Sequence, residues 1–314
     1  MTPSIQTGLL TSSQHTLVSS NVNSIEKLKN ANVQDVLSFL SERPIHTAIM
    51  SGLIHDNGLE STLNRGEFYG YRSAAGTLEG VALIGHATLL ETKSDDAMAA
   101  FARRASETTC VKLVLGEREK IGKFWDGYPR SASAAHHRRN ELMFEQRWAA
   151  APAAAVSGLR RATLADLELV VAAHACMAEE ELGVNPLTTD ADGFQMRCER
   201  RVRQGRVWVL IKDGRLIFKA DVVAATTAAN YLEGVYVNPQ ERNKGYGVRC
   251  LTQVTRELLA HTNAVCLLVS EHNSVGQGLA RKAGYTVISC YETIFLRSSS
   301  KIAPPKPGRV APGK

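Results

Sequence analysis

The chain has 314 residues, of which 44% are hydrophobic and 22% charged, and its formal net charge is +6. The length corresponds to about two domains, and the composition excludes a chain that is disordered over most of its length. No apolar run approaches a membrane span, no secretory signal is visible and the six cysteines show no regular spacing, so we expect a cytoplasmic protein with no membrane association and with reduced core thiols.

The N-terminal half shows alternating helical and strand patterns. The predicted elements are a helix at residues 33–40, a hairpin of strands 67–72 and 78–84 about Ala75-Gly76, a helix near 97–108, a strand at 111–115, a helix near 118–125 and a strand at 141–148. Their order resembles that of the C-terminal half, which suggests a duplicated α/β unit.

An Ala/Pro run near the midpoint, AAAPAAA at residues 149–155, has neither a helical nor a strand period. We interpret it as an interdomain linker. The predicted organisation is therefore an N-terminal domain over residues 1–148, a linker over 149–157, a second domain over 158–297 and a disordered, basic, proline-rich tail over 298–314.

The C-terminal half has the clearer pattern. Thr163 and Asp166 favour a capping box at the start of a helix, and Asp213-Gly214 favours a tight hairpin turn. The predicted order is helix, three strands, helix, strand, helix, strand. The strands are predicted at residues 206–212, 215–223, 231–237, 264–269 and 285–296, and the last two helices from residue 247 and over 273–282.

The loop RNKGYG, residues 242–247, joins the third of these strands to a helix. The first N–H groups of a helix have no partners within it and carry partial positive charge. Gly245 leaves the backbone open to a bulky anion, and Gly247 allows the helix to pack closely on the sheet. We therefore expect a pyrophosphate site here, with Arg242 and Lys244 adding positive charge.

Two common nucleotide motifs are missing from the sequence. The dinucleotide fingerprint GxGxxG does not occur at this loop. The run GEREKIGKF at residues 116–124 has one residue too many between its glycines for a P-loop, and it lacks the Ser/Thr that would hold magnesium. Nucleoside triphosphate chemistry is therefore not expected.

The pattern RxxGxG after a VxVxP strand, followed by LLVSEHNSVGQGLARKAGY at residues 267–285, resembles the coenzyme A segment of the GNAT acetyltransferase superfamily. With residues 207–223, the resemblance covers nearly all of residues 159–296. EEELGVNP at 179–186 and FKA at 218–220 are similar to segments of bacterial two-domain GNAT proteins whose N-terminal half has no known function. The resemblance implies tandem GNAT-like α/β domains, each with a mostly antiparallel central sheet flanked by helices, and a splayed strand pair in the C-terminal copy.

The resemblance also implies which residues hold the cosubstrate acetyl-CoA. The strand backbone would pair with the pantetheine arm, and one of its N–H groups would bond the thioester oxygen as it becomes an oxyanion. The loop amides would bind the pyrophosphate, and Asn273, a ready helix N-cap, would contact the pantetheine arm. The predicted contact residues are Val235, Tyr236, Val237, Arg242, Asn243, Lys244, Gly245, Tyr246, Gly247 and Asn273.

Acetyl transfer to an ammonium group needs a base, usually a carboxylate that acts through water. Glu233 stands four residues before Val237, at a position that is often acidic in GNAT strands. Strand alternation predicts that it shares a face with Tyr231, Val235 and Val237. We predict that Glu233 is the base; the alternative is a glutamate that is solvated or paired with Lys219.

The sequence departs from the GNAT pattern at the general acid. Where many GNAT enzymes have a tyrosine that protonates the departing thiolate, this chain has Ala280. Either the coenzyme A thiolate leaves unaided, since a free thiol has a pKa of about 8.5, or the domain binds acetyl-CoA and catalyses poorly. Tyr285, Tyr291 and His272 are the candidates for a substitute acid.

Two charged runs flank the expected acceptor entrance. The acidic one consists of Glu179, Glu180 and Glu181, which would attract a cationic amine or would simply be a solvated helix end. The basic run at residues 197–206 is expected to be a solvated helix face, with an acidic acceptor or the adenosine 3′-phosphate as alternative partners. The N-terminal half has a segment, residues 91–96, at the place equivalent to the RNKGYG loop of residues 242–247. This segment is acidic and contains no glycine. We therefore expect the N-terminal half to complete the acceptor cleft or to regulate it.

Five of the six net positive charges lie in residues 297–314. The rest of the chain is close to neutral, so no specific nucleic-acid binding is expected. His136-His137 has no further candidate ligands nearby at metal spacing, and we expect no metal.

The sequence thus predicts an acetyl-CoA-dependent N-acetyltransferase that acetylates a primary amine, on a small molecule or a peptide, by direct attack without an acetyl-enzyme. One alternative is a non-catalytic acyl-CoA-binding or regulatory protein, which Ala280 favours. A second is a nucleic-acid-associated protein that uses the basic tail. The identity of the acceptor and the oligomeric state stay open.

Overall fold

A computed structural model describes residues 24–129, 135–149 and 155–296. The predicted tail lies outside these residues, as does most of the Ala/Pro run. The domain boundaries drawn from the sequence therefore stay predictions.

Within the described residues, the N-terminal half forms six strands and four α-helices. The strands are β1 (Ser24–Lys27), β2 (Gly66–Arg72), β3 (Leu78–Gly85), β4 (Ala87–Thr92), β5 (Leu113–Glu117) and β6 (Ala135–Gln146). The helices are α1 (Val33–Ser41), α2 (Ala48–Asn57), α3 (Asp95–Ser106) and α4 (Arg118–Gly127). The elements predicted from the sequence include none of β1, β4 and α2.

The described part of the C-terminal half has six strands and five α-helices. The strands are β7 (Leu159–Arg161), β8 (Val207–Lys212), β9 (Arg215–Ala225), β10 (Asn230–Val237), β11 (Val265–Ser270) and β12 (Thr286–Leu296). The helices are α5 (Leu167–Leu182), α6 (Pro186–Thr189), α7 (Ala191–Arg203), α8 (Tyr246–Leu259) and α9 (Ser274–Lys282). The predicted order is confirmed, with β7, α6 and α7 added to it. None of the helices described in either half is long and apolar enough to cross a bilayer.

All twelve strands form one continuous sheet, in the order β1-β2-β3-β4-β5-β12-β6-β11-β10-β9-β8-β7. The last strand of each half is exchanged: β12 pairs with β5, β6 pairs with β11, and β6 and β12 pair with each other at the centre, all antiparallel. The predicted mixed sheet flanked by helices is confirmed, but the two halves share it. The sequence pattern could not show the exchange, because a strand's hydrophobic period is the same beside either partner.

The sheet is covered by helices on both faces. In the C-terminal half, α8 packs on one face through Leu251 and Val254, against Leu232 and Leu267. On the other face, α5 and α7 pack on β8 through a separate cluster that contains Val170. Strands β9 and β10 are therefore covered on both faces, and their ends form the edge where a ligand could enter.

Helix α2 belongs to the N-terminal half but packs on β9 of the C-terminal half. At Gly52 of α2, a Cβ atom would lie only 2.5 Å from the Cβ of Ala224. Real Cβ atoms do not approach each other so closely, so glycine is needed for this contact. The contact locks the two halves together beside the shared sheet.

The basic run at residues 197–206 contributes to the same interface. Arg206 donates two hydrogen bonds to the carboxylate of Asp56, one of them 2.7 Å long. Arg200 donates to the side-chain oxygen of Asn57 at 2.5 Å. Because these guanidinium groups hold α2, the prediction of a solvated helix face is wrong for this part of the run.

The six cysteines are all free thiols. Cys198, Cys250 and Cys266 are buried, whereas Cys110, Cys176 and Cys290 are exposed. The prediction of core thiols is therefore correct for only half of them.

Candidate active site

Strands β10 and β11 run parallel but pair only over residues 230–232 and 265–267. Beyond these pairs, residues 233–237 have no ladder partner on β11 among the described residues, while β11 continues to Ser270 against β6. The two strands therefore part and leave a gap that is open at their C-terminal ends. This geometry is the splayed pair that the GNAT resemblance implies.

A β-bulge interrupts β10 at the start of the gap. Glu233 pairs with Asp221 of β9 and Tyr236 pairs with Lys219, so Gly234 and Val235 both lie in the interval between these two pairs. Gly234 has a φ of +61°, in the left-handed region that favours glycine. A bulge of this kind bends the strand and redirects its backbone groups.

The bulge also changes which side chains share a face. Val235 and Val237 pack in the apolar cluster beneath α8, together with Leu232. Tyr231 packs in a different cluster, which includes the start of α2. The prediction that Glu233 shares a face with Val235 and Val237 is therefore wrong, because it assumed an uninterrupted strand. The faces alternate from Leu232 to Glu233, which places the Glu233 carboxylate on the side of α5 and α7.

The loop between β10 and α8 is exposed from Arg242 to Gly245. Gly245 is the N-cap of α8, with a φ of +80°, and a Cβ at this position would lie 3.8 Å from the Nε of Arg249. At Gly247, a Cβ atom would lie 3.1 Å from Val237 and 3.2 Å from Leu279. The predicted close packing at Gly247 is thus confirmed, and the first amides of α8 lie beside the open end of the gap.

The cations of the loop have partners of their own. The Nε of Arg242 donates to the carbonyl oxygen of Val237 at 3.3 Å, which ties the loop to the strand. Lys244 pairs with Glu241 at 3.0 Å, at the surface. Lys212 of β8, which the sequence pattern did not single out, donates to the hydroxyl of Tyr246 at 3.0 Å and brings a further cation to the start of α8.

Asn273 is the N-cap of α9, since its side-chain oxygen accepts a hydrogen bond from the N–H of Gly276 at 2.8 Å. The predicted cap is confirmed. Asn273 is exposed, as is the neighbouring His272. The cap explains why an asparagine occupies this position, and its contact with a ligand stays a prediction.

The candidates for a general acid are mostly buried. Ala280 is 1% exposed and packs in the core, so this position faces the interior. The hydroxyls of Tyr285 and Thr255 lie 2.6 Å apart, and burial raises the pKa of Tyr285. The hydroxyl of Tyr291 lies 2.9 Å from the Nδ1 of His46, and burial raises its pKa as well. Neither phenol is placed to give a proton to a thiolate in the gap.

Glu233 is exposed and has no hydrogen bond or ion pair among the described residues. The alternative partner, Lys219, instead donates to Asp221 at 2.8 Å. The Glu233 carboxylate interacts at longer range with Arg201 and Glu181. The carboxylate is therefore open to solvent.

The exchanged strand β6 brings two charged residues to the same region. Arg139 pairs with Glu141 at 3.1 Å and with Glu181 of α5 at 3.4 Å, and Thr293 donates to Glu141 at 2.5 Å. Burial, together with the negative charges of Glu233 and Glu141, raises the pKa of Glu181 despite Arg139. The N-terminal half thus contributes Arg139 and Glu141 to the acceptor side, which sequence reasoning missed because it assigned β6 to the other domain.

The other two glutamates of the acidic run have different hydrogen-bond partners. Glu179 accepts a hydrogen bond from the side chain of Asn185 at 3.1 Å. Glu180 lies 3.7 Å from the thiol of Cys176. Of the three predicted acceptor residues, only Glu181 interacts with Glu233.

The N-terminal half has a similar gap, but charged side chains of the chain itself bridge its two strands. Strands β4 and β5 pair over residues 87–89 and 113–115 and then part. Arg43 donates to Glu91 of β4 and to Glu117 of β5, the latter at 2.7 Å, and Lys120 pairs with both carboxylates. Burial alone would raise the pKa of Glu117, but the hydrogen bond from Arg43 lowers it to about 2.

The connection that follows β4 also differs from the C-terminal loop. Only Lys93 and Ser94 separate β4 from α3, and the Ser94 hydroxyl accepts a hydrogen bond from the N–H of Ala97 at 3.1 Å. Asp95 and Asp96 occupy the first turn of α3. Because negative charges at a helix N-terminus repel an anion, the start of α3 is poorly suited to a pyrophosphate.

The fold and the open gap define a class of α/β protein with two related halves. Among the described residues, the helix start beside the splayed pair has a glycine cap, Gly245, in the C-terminal half and two aspartates in its first turn in the N-terminal half. Residues 220–295 match the FR47-like protein family. Comparison with functionally curated proteins finds no sequence match.

Several solved structures have a similar fold. An acetyltransferase of the GNAT family from Colwellia psychrerythraea is 13% identical, with a TM-score of 0.55 over 87% of this chain and 100% of that one. A tandem GNAT protein from the clavulanic acid biosynthesis pathway is 13% identical, with a TM-score of 0.53 over 86% and 97%. A Drosophila protein is 14% identical, with a TM-score of 0.63 over 88% and 100%. The chain therefore has the GNAT fold, as the resemblance implies.

Proposed function

We propose that this protein is an acetyl-CoA-dependent N-acetyltransferase that acetylates a cationic primary amine in its C-terminal half. The observation that carries the proposal is the gap between β10 and β11, which ends at the exposed start of α8. A strand with unpaired backbone groups suits an extended amide chain such as pantetheine. A helix start with free N–H groups suits the pyrophosphate that follows it.

In this proposal, Val235, Tyr236 and Val237 present their backbone to the pantetheine arm. The amides of residues 242–247 bind the pyrophosphate, and Asn273 contacts the arm from the start of α9. The positive φ of Gly245 supports this placement, because any other residue would be strained there and its side chain would lie beside the amides. Acetyl-CoA is the cosubstrate, and no metal is required.

The acceptor approaches from the side of α5 and β6, where the three carboxylates of Glu181, Glu141 and Glu233 outnumber the guanidinium groups of Arg139 and Arg201. This excess of carboxylates favours a positively charged amine. Glu233 takes the ammonium proton through water, and the neutral amine attacks the thioester carbonyl. The carbon–sulfur bond then breaks to release the thiolate, and the nitrogen gives up a second proton to solvent, from which the thiolate is protonated. The N-terminal half completes this cleft through β6. We place the reaction in the cytoplasm, in keeping with six free thiols.

A second candidate function is a protein that binds acyl-CoA without catalysis. The burial of Ala280 and Tyr285 favours it, because neither position offers a proton to the departing thiolate. Against this stands the low pKa of a coenzyme A thiol, about 8.5, which allows the thiolate to leave unaided.

Titration calorimetry with acetyl-CoA tests the binding site. Gly245→Glu places bulk and negative charge at the start of α8, and we expect it to weaken binding at least 100-fold. Gly214→Glu is the matched control, since Gly214 also has a positive φ, of +72°, with open space around it, but lies in the β8–β9 hairpin turn. Equal affinity for the Gly245→Glu and wild-type proteins would remove the loop from the proposal.

Release of coenzyme A, followed with a thiol reagent over a panel of amines, separates the enzyme from the binder. We expect Glu233→Gln to lower turnover strongly near pH 7 and much less near pH 10, where the amine deprotonates itself. Tight acetyl-CoA binding with no turnover on any amine would favour the binder. A loss of turnover that does not depend on pH would remove Glu233 as the base.

A further inference from the structure

Strand β9 contains a buried ion pair next to the bulge in β10. Lys219 is 0% exposed and Asp221 is 1% exposed, in a strand whose other residues are mostly apolar. The ammonium of Lys219 donates to a carboxylate oxygen of Asp221 at 2.8 Å and to the carbonyl oxygen of Gly234 at 3.3 Å. Arg201 of α7 donates to the other oxygen of Asp221 at 3.0 Å.

Stability alone does not explain this arrangement. Removing two charges from water costs several kcal/mol per ion, and well-packed apolar residues often replace a buried ion pair without loss of stability. Burial alone would raise the pKa of Asp221, but Lys219 and Arg201 lower it, so the carboxylate stays charged. The network is therefore a set of fixed charges with one bond to the backbone of β10, at Gly234.

The bond to Gly234 determines the direction of the next amide. The described chain contains no cis peptide bonds, and in a trans peptide the C=O and the following N–H point in opposite directions. Since the oxygen of Gly234 is held toward the Lys219 ammonium, the N–H of Val235 points away from that ammonium. A Cβ at Gly234 would lie 2.9 Å from the Lys219 nitrogen, so a larger residue would disturb this bond.

We infer that Lys219, held in place by Asp221 and Arg201, is a positioning residue that fixes the peptide between Gly234 and Val235 so that the Val235 N–H points into the gap and polarises the thioester carbonyl. The inference rests on the proposed function, because the gap must hold a thioester. Lys219 itself contacts neither cosubstrate nor acceptor. It acts through the backbone of the bulge.

The test compares Lys219→Met with Thr255→Val. Thr255 is also fully buried and hydrogen-bonded, to Tyr285, but has no contact with the bulge, so its variant controls for general loss of stability. We expect Lys219→Met to lower kcat at saturating acetyl-CoA about 100-fold, the effect of losing one oxyanion donor. The dissociation constant of coenzyme A should change less than about threefold, because the pyrophosphate site is untouched. Thr255→Val should leave both quantities near the wild-type values.

Equal kcat losses in the two variants would overturn the inference, as would a parallel loss of coenzyme A affinity in Lys219→Met. If Lys219→Met does not fold, Asp221→Asn keeps the shape of the side chain, and we expect a kcat decrease of about tenfold. A crystal structure of the folded variant without ligand gives a readout that does not depend on activity. In that structure, the peptide between Gly234 and Val235 should have a different orientation from the wild type. An unchanged peptide refutes the positioning role. This outcome can be read even if the wild-type protein proves to acetylate no amine.

Discussion

Separating the two halves is expected to unfold both, because each would lose the strand that completes its sheet. An N-terminal fragment of residues 1–149 lacks β12, whose Tyr291, Ile294 and Leu296 are 4%, 0% and 6% exposed in the whole chain. Burial of a large apolar side chain contributes about 1.5–3 kcal/mol. Losing all three removes about 5–9 kcal/mol, which is comparable to the whole stability of a typical domain.

The C-terminal fragment, residues 155–314, has the same defect. It lacks β6, whose Met143 and Phe144 are 3% and 0% exposed, so the loss is about 3–6 kcal/mol from these two side chains. It also leaves β11 as an edge strand with unpaired backbone groups and exposed apolar side chains. We therefore expect aggregation of this fragment when it is expressed alone.

Circular dichroism and size-exclusion chromatography provide the assay. Each fragment alone should show no cooperative thermal transition, whereas the two fragments expressed together should form a one-to-one complex that unfolds cooperatively. The full chain, cut after folding at a protease site inserted into the Ala/Pro run, is the control and should stay assembled. A monomeric fragment that unfolds cooperatively would refute the reasoning. Its own last strand, β6 in the N-terminal fragment or β12 in the C-terminal one, would then complete the sheet in place of the missing strand.

Three substitutions test local features. Ala280→Tyr is expected to lower the free energy of unfolding, measured by urea titration, by about 1–3 kcal/mol, because the position is buried and overpacking is destabilising. Turnover should not rise. A gain in activity would show that the new tyrosine reaches the gap. Gly52→Ala should destabilise the protein by a similar amount, because its Cβ would meet Ala224. The control is Gly122→Ala in α4, where a Cβ has open space, and this change should be neutral or stabilising. Equal effects of the two substitutions would contradict the close contact at Gly52. Asp166→Asn should cost about 1–2 kcal/mol at pH 7, because the hydrogen bond from Arg160 lowers the pKa of Asp166 to about 2, below the unfolded value of about 3.9. The stability that the charged Asp166 contributes is present above pH 4 and is lost as the pH falls through 2. A difference in unfolding free energy between variant and wild type that persists at pH 2 would argue against this explanation.

The elements of the C-terminal half could be predicted because their signals are local. Thr163 and Asp166 form the predicted capping box. Asp213 and Gly214 both have a positive φ, as the predicted hairpin turn requires. In each case the residues that determine the conformation lie within three positions of each other, so the sequence alone contains the cause.

The exchange of strands and the position of α2 depend on contacts between distant parts of the chain. Gly52 is needed because Ala224 lies against it, and neither residue indicates the other in the sequence. The error at Glu233 had a signal that was available: a glycine inside a strand often marks a bulge, and Gly234 stands directly after Glu233. Lys219 and Asp221 gave a similar signal, as charged residues inside an apolar strand. Their partner, the backbone of Gly234, appears only once β9 and β10 are paired.

The exchanged strands also affect how the protein is made. The ribosome completes β5 at residue 117, but its neighbour β12 begins only at residue 286. At synthesis rates of 5–20 residues per second, this interval lasts roughly ten to thirty seconds. During that time the nascent N-terminal half presents an open sheet edge, so its solubility in the cell depends on chaperones or on a temporary fold that is later rearranged.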